Sequence, residues 1–115
     1  MCLETGKRHT NHYGLLDSTM FEPIDIGGTR LQNRFACSAT YEGMAREDGS
    51  VTDRLVKRYR NLAKGGVGLI ITGHAYVAPG GKCHPEMAGV HEDGLTAAHR
   101  RLVRAAHSAG AAIAA

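Results

Sequence analysis

Asn33-Arg34-Phe35-Ala36-Cys37-Ser38-Ala39-Thr40-Tyr41-Glu42-Gly43 is the stretch on which the fold turns. Phe35, Ala36 and Cys37 read as a short buried strand. Ser38, Ala39, Thr40 and Tyr41 stand where that strand emerges. A strand whose C-terminal end changes to small and hydroxylated residues is where α/β proteins place ligand contacts.

Downstream, Met44 to Ser50 is a polar loop holding the turn pair Asp48-Gly49. Thr52 or Asp53 then caps a helix in which Leu55, Tyr59 and Leu62 recur at i, i+4 and i+7, with Val56 and Ala63 beside them. Lys57, Arg58, Arg60 and Lys64 fall on its other faces as a solvated surface, and Gly65-Gly66 ends it. Val67 to Thr72 is short, continuously apolar and rich in β-branched residues, the pattern of a parallel strand covered on both faces. Gly73 to Gly94 reads as a long loop or irregular hairpin with a turn at Pro79-Gly80-Gly81. A second helix is expected over Leu95 to Ala109, with Leu95, Leu102, Val103 and Ala106 near one stripe. Ala111 to Ala115 begins another small-residue strand.

Upstream, Ile24-Asp25-Ile26 and Thr29-Arg30-Leu31 flank Gly27-Gly28, a hairpin signal, with Pro23 at the entry of its first strand. Residues 1–19 are polar and aperiodic and are expected to form a disordered leader, with the compact domain over 20–115. Hairpin, strand, helix, strand, helix, strand implies an α/β fold with a parallel sheet. Such a sheet is either an open doubly wound one or the first three-eighths of a TIM (β/α)8 barrel. The turn after the first strand carries neither GxGxxG nor GxxxxGK[ST], which removes the best support for a nucleotide-binding open sheet. A leading hairpin suits a barrel, where it can plug the N-terminal mouth.

Composition narrows the functional classes. A formal charge of +3, dispersed along 115 residues, does not argue for nucleic acid. No apolar run approaches the roughly 20 residues of a membrane helix. Cys2, Cys37 and Cys83 are odd in number and lack CxxC spacing, so a reducing, cytoplasmic setting is expected rather than a disulfide framework or a zinc ribbon. Cys37 reads as a core residue. His74, Cys83, His84 and His91 do not form a metal motif, because adjacent Cys83 and His84 cannot easily turn onto one tetrahedral ion. Asn33-Arg34 reads as a hydrogen-bonding pair at the strand entry.

Three blocks in order carry a resemblance: Phe21 to Phe35, Ser38 to Ala45, and Gly65 to Val77. Together they resemble the start of the old yellow enzyme family, most closely its NADH:flavin oxidoreductase and 2,4-dienoyl-CoA reductase-like members. The likeness covers about Met20 to Ala115. It implies a (β/α)8 barrel holding FMN at the C-terminal mouth. Hydride would pass from NAD(P)H through the flavin to an activated alkene or similar small-molecule acceptor. It also implies that Ala39, Thr40 and Tyr41 lie beside the flavin ring. Tyr41 takes the place of a cysteine or threonine that tunes the flavin, and Ala39 that of a frequent proline. His74 takes the place of a residue, often alanine, whose main chain touches the cofactor. The later flavin and catalytic residues, and the iron–sulfur cluster of larger members, would belong to a full-length parent. The resemblance therefore implies an N-terminal fragment that is inactive by itself. The alternative from the residues alone is a non-catalytic remnant or a small α/β domain binding a partner.

Overall fold

A computed structural model describes residues 18–115. The leader expected over 1–19 lies outside them, except that Ser18 and Thr19 open a single 3-10 turn running to Phe21. The chain then forms the antiparallel hairpin β1 (Ile24–Ile26) and β2 (Thr29–Leu31). Gly27 and Gly28 both have positive φ, 55° and 81°, which L side chains rarely adopt, so this pair makes the tight turn. Asp25 and Arg30 face each other across the ladder and form an exposed ion pair.

Three parallel strands form the centre in the order β3 (Ala36–Cys37), β4 (Leu69–Ile71), β7 (Ala112–Ala114). Ala36 pairs with Leu69 and Cys37 with Ile70, while Leu69 to Ile71 pair with Ala112 to Ala114. At the strand entry Asn33 is buried and donates through Nδ2 to the Gly66 carbonyl at 2.6 Å, and its Oδ1 accepts from the Phe35 amide at 3.1 Å. That side chain fixes the start of β3 beside the start of β4.

The crossovers are α1 (Asp53–Lys64) and α2 (Thr96–His107). Thr52 is the N-cap of α1, its Oγ1 accepting from the Leu55 amide at 3.2 Å. The buried stripe of α1 is Leu55, Val56, Tyr59 and Ala63, and that of α2 is Leu102, Ala105 and Ala106. These close over Ile70, which is fully buried, with Cys37 and Ile113 packed alongside.

Two expectations need correction. Gly73–Gly94 is neither a long loop nor an irregular hairpin: β5 (Ala75–Tyr76) and β6 (Ala88–Gly89) pair in parallel. Phe35 and Ala36 are exposed, and Cys37 is only half-buried, because β3 lies at the edge of the sheet. Pleat alternation puts Ala36, Leu69, Ile71, Ala112 and Ala114 on the face opposite the helices. Among the described residues nothing buries that face fully, and Ile71 stays 38% exposed.

Candidate functional site

The strand order sends the segments after β3 and β4 out of the same end of the sheet, because the two strands are parallel neighbours. The first segment carries Ser38 to Glu42 and the second Thr72 to His74. Ala39, Thr40, Tyr41 and His74 are all exposed there. Tyr41 and His74 meet directly, with ring centroids 5.3 Å apart and planes 17° from parallel. Thr40 turns its hydroxyl inward along its own segment, donating to the Ser38 carbonyl at 3.2 Å. The main-chain carbonyl of Thr40 lies so close to Gly73 that any Cβ there would collide with it. Ala39 offers only a methyl group and backbone.

Three residues of this site, Tyr59, Glu42 and His84, were given no part in it by the sequence reading. Tyr59 reaches out of the core of α1, and its hydroxyl donates to Glu42 Oε1. The Tyr59 hydroxyl oxygen in turn accepts from the Gly73 amide at 2.9 Å. Burial, and next the hydrogen bond to the Glu42 carboxylate, hold the Tyr59 phenol well above its ordinary value, so it stays protonated. His84 is the third ring at the rim, 4.9 Å from Tyr41 and tilted by 35°. It arrives on the segment between β5 and β6, which the Ala45 amide pins by donating to the Glu86 carbonyl at 3.1 Å.

Beneath the rim, between α1, α2 and the ends of β4 and β7, lies a cavity of about 370 Å³. Its lining is mostly apolar, with Glu42, Tyr59, Thr72 and His99 as the polar side chains. His99 Nε2 lies 2.8 Å from the Gly89 carbonyl. Among the described residues no group of three or more His, Cys, Asp and Glu side chains is placed to hold a metal ion.

At these strand ends the side chains of Ala39, Thr40 and Gly73 are small or absent, Ser38 to Tyr41 and His74 are exposed while Gly73 is buried, and a stacked aromatic pair stands at one edge. Among the described residues no helix is long and apolar enough to cross a membrane.

Residues 19–115 match the NADH:flavin oxidoreductase / NADH oxidase family. The chain is 35% identical over 97 residues to a 4,4'-dithiodibutanoate disulfide reductase of Rhodococcus erythropolis, which covers 84% of this chain and 24% of that protein. It is 37% identical over 95 residues to an NADH oxidase of Thermoanaerobacter brockii, covering 82% of this chain and 15% of that one. Among solved structures, the old yellow enzyme from Pichia sp. AKU4542 superposes with a TM-score of 0.79 at 27% identity, over 84% of this chain and 25% of that one. A 2-naphthoyl-CoA reductase does so with a TM-score of 0.81 at 28% identity, over 84% and 15%. The chain thus spans a quarter or less of these relatives. Its hairpin, two βα units and third central strand are the N-terminal part of their (β/α)8 barrel. That family uses FMN, with NAD(P)H as electron donor. Matched along 97 residues and in fold, the chain belongs to the NADH:flavin oxidoreductase / NADH oxidase family, the old yellow enzyme group.

Proposed function

We propose that residues 20–115 supply one wall of the FMN site in an oxidoreductase. That enzyme would pass hydride from NAD(P)H, through the flavin, to an activated alkene or similar small acceptor. The observation that carries this reading is the meeting of Tyr41 and His74 at the shared end of two parallel strands, beside the small residues Ala39 and Thr40. The hydride chemistry is the flavin's own, and the protein contributes orientation and hydrogen bonds. Here the main chain at Ala39, Thr40 and His74 would hold the ring, and Tyr41 would stand against its edge. By itself this wall is half of a site, so the chain alone is read as inactive. The free thiols of Cys37 and Cys83 support a cytoplasmic setting.

The test is a graft. Residues 19–115 replace the matching segment of the Rhodococcus erythropolis reductase, and the purified barrel is examined for bound flavin and for its bleaching by NADH. A yellow protein bleached by NADH is the expected result. A folded graft without flavin would sink the reading. It would favour instead the partner-binding alternative, for which the exposed edge of β3 is the one supporting observation.

A further inference from the structure

The backbone ladder does not explain why Tyr41 and His74 stack. Pairing between β3 and β4 ends at Cys37 and Ile70, and each ring stands four residues further along its own segment. Beyond those rungs Ser38 to Thr40 pair with no strand, while Ile71 and Thr72 bond only to Ala114 of β7, so the two segments could diverge from each other. Each ring, however, is the immediate neighbour of a residue held by Tyr59: Tyr41 precedes Glu42, and His74 follows Gly73. Tyr59 is only 2% exposed and moves with α1, whose Leu55, Val56 and Ala63 are locked in the core. Its one hydroxyl oxygen therefore ties both segments to the packed core.

We propose that Tyr59 is a positioning residue, which through Glu42 and Gly73 aligns Tyr41 with His74 and so sets the shape of the site's aromatic wall. Only the identity of the ligand, FMN, rests on the functional reading above; the alignment does not. His84 is the competing cause, because it also touches Tyr41.

The grafted barrel separates these accounts. His74 ring protons lie under the Tyr41 ring, so their NMR shifts report the stack whether or not flavin is bound. Tyr59→Phe removes both hydrogen bonds and keeps the buried ring. It should abolish the ring-current shift at His74 and weaken FMN binding about five- to tenfold, the worth of one hydrogen bond. Glu42→Ala, at a half-buried position outside the core of α1, should reproduce this if Tyr59→Phe fails to fold. Glu42→Gln, whose side-chain oxygen still accepts from Tyr59, should restore both readouts. Unchanged His74 shifts in Tyr59→Phe and Glu42→Ala overturn the proposal, as does their loss in His84→Ala alone. If the parent graft binds no flavin while Tyr59→Phe still moves His74, the clamp stands and the flavin reading falls.

Discussion

Gly73 bears two constraints at once: its amide is bound by Tyr59, and its missing side chain lets Thr40 and Glu42 approach. Gly73→Ala should therefore destabilise the grafted barrel by about 1–3 kcal/mol in urea unfolding, through overpacking. Gly80→Ala faces open space and should stay within about 0.5 kcal/mol of the parent. The raised phenol of Tyr59 has a consequence with a definite sign. Its folded value lies above the unfolded one, so the stability it adds is complete below the tyrosine range. That stability is lost as pH climbs past about 10, where the unfolded chain ionises first. Unfolding midpoints followed from pH 8 upward should fall more steeply in the parent than in Tyr59→Phe. Family register singled out Tyr41 and His74, and the fold brings their two rings together. Tyr59 was legible only as an apolar position at helical spacing, since nothing in a period of 3.6 shows that its hydroxyl bonds a carboxylate seventeen residues earlier. Glu42 went unread for the same reason, and Asn33 succeeded because its partners lie at strand entries, where such side chains are expected.

At the level of elements, α1 is the best supported. Thr52 caps its first turn and also donates to the Met44 carbonyl, so it ties the preceding loop to the helix. Thr52→Ala should cost about 0.5–2 kcal/mol in urea unfolding, and Thr52→Ser should recover most of it. Both helices could be read from periodicity, because each buries one stripe against the sheet. The strand β4 was legible from a short apolar run between glycines, and β7 from a small-residue run after Gly110. The pair β5–β6 was not. Its rungs are only Ala75 to Ala88 and Tyr76 to Gly89, too short to show alternation, and it exists through tertiary contacts. Tyr76 stacks on His91 at 4.7 Å and donates its hydroxyl to the Asp48 carbonyl at 3.2 Å. Lys82 reaches across to the Glu47 carbonyl.

Across the whole molecule, one face of the central sheet is covered by helices and the other is largely bare. Parallel sheets are normally buried on both faces, and on the bare one Ile71 is 38% exposed here. The purified 115-residue chain is therefore expected to self-associate as concentration rises and to retain no FMN. Light scattering and visible absorbance measure both, and a monomeric yellow preparation would refute the expectation. The barrel reading came from element order and the absence of a phosphate loop; the bareness of one face is a three-dimensional fact that element order does not contain. A last consequence lies in the knot between the segments following β3 and β4. Gly89 donates its amide to the Gly49 carbonyl at 2.9 Å, and Ala45 donates to Glu86 across the same junction. Neither amide can meet solvent while the other segment stays in place. In hydrogen–deuterium exchange on the grafted barrel, Ala45 and Gly89 should therefore exchange with one shared opening free energy, so that the two loops behave as one breathing unit.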